Sequence, residues 1–244
     1  MSTKKTPLKQ LTLNFGQKSP KTTECKECGM IYNPNDKQDE QMHSKHHSDK
    51  ESVLKYTNLK GEKLVQEYPD GKVVVVEYGI DSKQSVNRAV QVLDYVDAQL
   101  GINENKSKLL ADYSNKKSIK ISSKFYLFVS NSSKKIVGFC HAEDINKSYK
   151  ILYLNDNENT FSYDENSATS TAICGINRIW VAPCMRRNGV ASRLLDCVRL
   201  NFIYIQKLEP NQLAFSDPTE FGRKLAKSYF KGDSFFIYNN SKND

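Results

Sequence analysis

The sequence predicts an α/β (α+β) main domain, preceded by a compact Cys/His segment and a basic tail. Three observations carry that reading: strand and helix signals alternate from about Lys60 to the C-terminus, Cys25, Cys28 and three histidines crowd into residues 24–47, and residues 1–23 hold five lysines and no acidic residue. At 244 residues the chain has room for one medium domain and one small module, because single cores stop growing at about 250–300 residues. The expected division is a disordered tail over 1–23, a Cys/His module over 24–50 and the main domain over 51–244.

Within the main domain, Lys63 to Tyr68 and Lys72 to Tyr78 are β-rich and flank Pro69-Asp70-Gly71, a turn sequence that predicts a hairpin. A helix follows, with Asp81 as cap, Gln84 at the capping-box position, Val86, Val90, Leu93 and Leu100 on one face and Gly101 as the stop. Phe125 to Ser130 and Lys135 to Ala142 form a second predicted hairpin, and the polar stretch Asn155 to Ser170 reads as a loop. Ala172 to Val181 is a buried strand closed by Pro183, and a helix is expected over about 190–205. Leu213 to Phe215 is a short strand, Ser216-Asp217-Pro218 starts a helix, and Phe235 to Tyr238 is a last strand.

Composition narrows the function. No run approaches the ~18 apolar residues of a membrane span, and Met1 to Thr23 lacks the apolar block of a signal peptide, so the expectation is a soluble, intracellular protein with no membrane partner. Six cysteines spread along 244 residues do not form a secreted disulfide framework. A net charge of +8 favours an anionic partner such as nucleic acid, a nucleotide-like cofactor or an acidic protein face.

Cys25 and Cys28 are separated by two residues, fourteen lie between Cys28 and His43, and three between His43 and His47. Two thiolates from a knuckle and two imidazoles at i, i+4 on a helix make a suitable tetrahedral set for Zn2+. His46 offers an alternative fourth ligand at i, i+3. A module this small takes its folding energy from the metal, and one finger reads only about three base pairs, which favours a structural or partner-docking role.

The second motif is Arg186-x-x-Gly189-x-Ala191, between a strand and a helix. There the glycine lets backbone approach a pyrophosphate, the helix N-terminus offers N–H groups and a positive dipole, and Arg186 and Arg187 add charge.

Several blocks are more specific: Cys25-Lys26-Glu27-Cys28-Gly29-Met30-Ile31-Tyr32, Cys174-Gly175-Ile176-Asn177-Arg178-Ile179-Trp180-Val181, Ala191-Ser192-Arg193, Asn201-Phe202-Ile203-Tyr204 and Ala214-Phe215-Ser216-Asp217-Pro218-Thr219. From Gln10 onward the chain resembles the cohesin acetyltransferases that establish sister-chromatid cohesion, a branch of the GNAT superfamily. The resemblance implies a GNAT fold with a mixed, mostly antiparallel central sheet. It also implies that Ile179, Trp180, Val181, the turn Arg186, Arg187, Asn188, Gly189, Val190, Ala191 and Ser192, and Thr219, Glu220 and Phe221 hold acetyl-CoA. The implied substrate is a pair of adjacent lysines on the SMC-type cohesin ATPase subunit, in the nucleus on chromatin.

A lysine amine with a pKa of about 10.4 must lose a proton before it attacks a thioester. By the resemblance Asp217 is the first candidate base, against a bland role capping the following helix. Asp196 stands second, where the family carries a glutamate. Asn177 stands where the family carries serine, so a hydroxyl relay is replaced by an amide. A backbone N–H near Val181 is the expected oxyanion donor. A ping-pong route through Cys174, Cys184 or Cys197 lacks a sequence-adjacent base, so direct transfer is preferred. In the tail, Gln10, Leu13 and Phe15 approximate a sliding-clamp-binding motif. The competing reading is a zinc-finger nucleic-acid- or chromatin-binding protein whose GNAT-like domain is inactive.

Overall fold

The computed structural model describes residues 22–25, 30–58, 62–102, 123–155, 160–164, 166, 168–232 and 234–239. They fall into two compact units, Met1–Glu51 and Ser52–Asp244.

In the first unit, β1 (Thr23–Glu24) pairs antiparallel with β2 (Ile31–Tyr32) ahead of α1 (Lys37–Ser52). Asp36 starts the helix: its carboxylate accepts the Gln38 N–H at 2.8 Å, one of the donors a helix start leaves without an intrahelical partner.

The second unit contains, in chain order, β3 (Lys63–Tyr68), β4 (Gly71–Glu77), α2 (Lys83–Leu100), β5 (Ser123–Ser130), β6 (Ile136–Asp144), β7 (Tyr149–Asn155), β8 (Thr160–Tyr163), β9 (Cys174–Val181), α3 (Val190–Asn201), β10 (Leu213–Ser216), α4 (Glu220–Phe230) and β11 (Phe236–Tyr238). The described strands form one sheet in the order β3-β4-β5-β6-β9-β10-β11-β7-β8. Only β9-β10 and β10-β11 are parallel, so the mixed, mostly antiparallel sheet flanked by helices is borne out.

The two expected hairpins are β3-β4 and β5-β6. At the first turn only glycine fits, because a Cβ on Gly71 would lie 2.4 Å from the Val129 carbonyl oxygen. Strand alternation then places the helices. A Cβ on Gly138 would meet Val190 and Leu194 of α3, so Gly138, Cys140 and Ala142 face α3. Phe139 and His141 face the other way. Their cross-strand partners Trp180 and Arg178 meet Tyr95 and Asp97 of α2. Thus α2 and α3 cover opposite faces of a sheet whose central strands β5 and β6 are buried almost throughout.

Three expectations change. Ser82, not Asp81, caps α2, accepting the Ser85 N–H at 3.2 Å. Asp81 is drawn instead to the Glu77 N–H at 2.7 Å and lies 3.6 Å from Lys63. The third helix stops at Asn201, short of residue 205, where Lys124 Nζ donates to the Asn201 carbonyl at 2.9 Å and Ile205 turns to a φ of 68°. Inside the stretch read as a loop, Thr160–Tyr163 pairs with β7, itself a strand beyond the expected order, and the pair extends the sheet past β11.

Candidate active site

The site begins where two parallel strands separate. β10 pairs with β9 only from Leu213↔Cys174 to Phe215↔Ile176, while β10 stays joined to β11 through Ser216↔Tyr238. Beyond Ile176 a cavity of about 970 Å³ opens, at the upper end of the range for small-molecule sites. One wall is β9 from Ile176 to Val181, the other runs from Phe215 to Thr219 and into α4, and Arg186, Arg187 and the start of α3 close one end.

A bulge marks the point of separation. His141 pairs with Arg178 and Ala142 with Ile176, which leaves Asn177 as the extra residue of β9. Its amide is held on both sides: Nδ2 donates to Glu143 Oε1 at 2.7 Å and Oδ1 accepts from Arg178 Nη1 at 2.7 Å. Arg178 Nε in turn donates to Asp97 Oδ1 at 2.8 Å. From the cavity side Ser216 Oγ donates to the Asn177 carbonyl at 2.7 Å, and Tyr238 OH donates to Glu143 Oε1 at 2.6 Å. Burial, helped by the Glu143 carboxylate, pushes the Tyr238 hydroxyl well above its ordinary pKa, so it stays a donor. Asn177 is therefore a fastened corner of the cavity. The sequence assigns no role at the site to Glu143, Ser216 or Tyr238, which lie 34, 39 and 61 positions from Asn177 with no local spacing to link them to it.

The backbone of β9 supplies a donor. The Ala182 N–H bonds to the Val137 carbonyl at 2.9 Å, and the Val181 carbonyl accepts from Arg186 Nε on the opposite side at 3.1 Å. In an extended strand a residue's N–H and C=O point the same way, so the Val181 N–H faces the cavity.

The turn between β9 and α3 has the left-handed backbone that a concave array of N–H groups requires: φ is 65° at Arg187 and 74° at Gly189, the N-cap of α3. Arg186 lies 5.9 Å from the ring of Phe221, and Lys224 stands 5.9 Å from the same ring. Three cations, Arg186, Arg187 and Lys224, thus line one cavity with a helix N-terminus, an arrangement suited to a phosphate-bearing ligand.

Of the residues expected at the cofactor, Ile179, Trp180, Val181, Arg186, Arg187, Gly189, Val190, Ala191, Ser192, Thr219 and Phe221 line the cavity, whereas Asn188 and Glu220 stand outside it. Trp180 also packs edge-on to Tyr95, with ring centroids 5.6 Å apart. Asp217 is exposed and lines the cavity. It does not cap α4: that role falls to Thr219, whose Oγ1 accepts the Gly222 N–H at 3.3 Å, so the helix starts at Glu220 and Pro218 precedes the cap. Asp196 is not among the lining residues; its Oδ1 accepts from Tyr229 OH at 2.6 Å across α3 and α4. The structure brings Asp217 and Asn177 to one cavity and leaves Asp196 beside it.

Burial raises the pKa of the thiols of Cys140, Cys174 and Cys197, which keeps them protonated and poor nucleophiles. Exposed Cys184 is not a lining residue.

In the small unit, the Cys25 N–H donates to the Met30 carbonyl at 2.9 Å, closing the knuckle, and the His43 ring stacks on Tyr32 with centroids 3.8 Å apart. Cys28 and the side chain of His47 lie outside the described residues, as do Gln10, Leu13 and Phe15. A Cys25 thiolate and the His43 imidazole are suitable zinc ligands, with the ring fixed by stacking.

Strands that part onto an arginine turn and a helix N-terminus define a GNAT-type acetyltransferase domain. Comparison with known proteins agrees. The family described as ESCO1/2 acetyl-transferase matches residues 170–238, and the zinc-finger of acetyl-transferase ESCO matches residues 10–49. The chain is 35% identical over 246 residues to N-acetyltransferase ESCO1 of Homo sapiens, covering 96% of this chain and 28% of that one. It is 32% identical to N-acetyltransferase ESCO2 of Danio rerio, covering 94% and 37% respectively. Among solved structures, the xEco2 acetyltransferase domain bound to a CoA conjugate is 34% identical, with a TM-score of 0.61 over 74% of this chain and 98% of that one. The chain belongs to the ESCO acetyltransferase family. It spans between a quarter and two fifths of the length of these two curated relatives.

Proposed function

We propose that this chain transfers an acetyl group from acetyl-CoA to lysines of the SMC-type cohesin ATPase subunit, in the nucleus and during DNA replication, and so establishes sister-chromatid cohesion. The observation that carries the reading is the cavity between β9 and β10, which joins a cationic, left-handed turn at one end to the Asp217 carboxylate on its wall.

Each residue has a distinct task. Arg186, Arg187 and the N–H groups at the start of α3 bind the coenzyme's phosphates. Asp217, free of capping duty, orients the incoming lysine and accepts its proton. The amine attacks the thioester carbonyl directly, and the Val181 N–H meets the oxyanion. When the new C–N bond has formed the C–S bond breaks, and the departing thiolate takes up a proton. Asn177 keeps the bulge in shape through Glu143 and Arg178. Asp196, tied to Tyr229, steadies the contact of α3 with α4 and does not act on the substrate.

Cys25, Cys28, His43 and His47 hold a structural zinc, which supplies the folding energy that the small unit's few apolar residues do not. Gln10, Leu13 and Phe15 dock on the sliding clamp and bring the enzyme to replicating chromatin. Incubation of the purified protein with acetyl-CoA and a cohesin ATPase-head fragment, followed by peptide mass spectrometry, tests the reading. Acetylation of adjacent lysines is expected. No transfer, together with sequence-specific and salt-resistant DNA binding, would favour the competing reading of a chromatin-binding protein with an inactive domain.

A further inference from the structure

Arg193 is held far more firmly than a surface helix residue requires. Its guanidinium forks onto Asp70, with Nη1 to Oδ1 at 2.6 Å and Nη2 to Oδ2 at 2.9 Å. It also lies 4.8 Å from the ring centroid of Tyr68 and 4.7 Å from that of Phe128. The fork holds the Asp70 carboxyl below the usual carboxylate range. Asp70 itself sits in the β3-β4 turn that Gly71 presses against β5.

A cation in the first turn of a helix opposes the helix dipole unless an anion offsets it. Asp70 offsets it here, so the net field offered to a phosphate by α3 is little changed by Arg193. What Arg193 adds is a tether: Nη2 also donates to the Asn188 carbonyl at 3.1 Å. In a trans peptide the C=O and the following N–H point in opposite directions. Fastening the Asn188 carbonyl to Arg193 therefore turns the Gly189 N–H away from it, and Gly189 lines the cavity. Neither Arg193 nor Asp70 is a lining residue.

We infer that the Arg193–Asp70 fork positions the phosphate-binding turn, so that the β3-β4 hairpin, which takes no part in the chemistry, sets affinity for the nucleotide end of the coenzyme. Both are positioning residues, and the inference rests on the acetyl-CoA reading above. A pantetheine thioester without the pyrophosphate lacks the group that the turn is inferred to hold, which makes the role separable from general damage.

The test compares wild-type protein with Asp70→Asn and Arg193→Lys. Each is assayed for CoA uptake by calorimetry, and for KM with acetyl-CoA and with S-acetylpantetheine, which lacks the pyrophosphate, using the ATPase-head fragment as acceptor. Loss of one charge-assisted fork predicts about five- to twentyfold weaker CoA binding and a matching rise in KM for acetyl-CoA. At saturation kcat is retained, and KM for S-acetylpantetheine is unchanged. Arg193→Lys keeps a cation beside the two rings but cannot fork onto both Asp70 oxygens, so it repeats the test should Asp70→Asn fail to fold. Wild-type affinity for CoA in both variants, or an equal loss with S-acetylpantetheine, would overturn the inference. Absence of CoA uptake by the wild-type protein would instead sink the acetyltransferase reading.

Discussion

Gly175→Ala tests whether the floor of the cavity is as tightly built as the contacts imply. An added Cβ would lie 2.6 Å from Tyr238 Cζ and 2.7 Å from both Tyr238 Cε1 and Ile145 Cγ2, closer than carbon atoms pack. The Tyr238 ring has nowhere to retreat, since it is 3% exposed and its hydroxyl is bonded to Glu143 at 2.6 Å. Overpacking a core position costs about 1–3 kcal/mol. If the ring shifts, its hydrogen bond to a charged partner goes as well, a further cost of about 1.5–3 kcal/mol. Because relief of one penalty feeds the other, a combined loss of about 3 kcal/mol is expected, and for a domain of this size that lowers the Tm by about 6–12 °C. Calorimetric melting measures it, with Gly232→Ala as the control, because a Cβ there meets nothing within 4 Å. A Gly175→Ala Tm within about 1 °C of the control would refute the packing argument and, with it, the claim that Tyr238 is fixed at the cavity floor.

Gly189→Ala meets no steric obstacle, but its φ of 74° puts an L side chain in the left-handed region, at about 1–2 kcal/mol; calorimetric titration should show CoA affinity reduced about five- to thirtyfold. His141 is buried, with Nε2 bonded to Ser123 Oγ at 2.6 Å, and burial pushes its pKa down from its ordinary value. The unfolded chain therefore binds the extra proton first, and stability is fully present above about pH 6.5 and declines as pH falls below it. Urea unfolding across that range should show the slope, which His141→Gln should reduce. Cys25→Ser or a chelator should strip zinc from the small unit and erase its hydrogen-exchange protection, while the melting of the Ser52–Asp244 unit is unchanged.

What the sequence made legible was local. Pro69-Asp70-Gly71 and the arginine turn are short-range signals whose backbone demands fall on the residues themselves, and both stand where expected. Caps were less secure because neighbouring oxygens compete. Asp81 and Ser82 both suit α2, and the Glu77 N–H and Lys63 drew the aspartate away; Thr219 likewise displaced Asp217 from the start of α4. The β7-β8 pair was hidden because Asn, Asp and Ser around it give a loop-like composition, while its stabilisation comes from the edge of β11. Partnerships such as Asn177 with Glu143 and Arg193 with Asp70 span 34 and 123 positions. No single-chain pattern specifies contacts made only once the sheet has assembled.

In the proposed mechanism the carboxylate of Asp217, on the wall of the β9-β10 cavity, prepares an amine for direct acetyl transfer. Single-turnover acetylation of the ATPase-head fragment at saturating acetyl-CoA, wild type against Asp217→Asn, tests it most directly. The expected result is a rate lower by about 10²- to 10⁴-fold, with CoA affinity unchanged by calorimetry. Equal transfer rates in the two proteins would rule out Asp217 as the group that takes the proton.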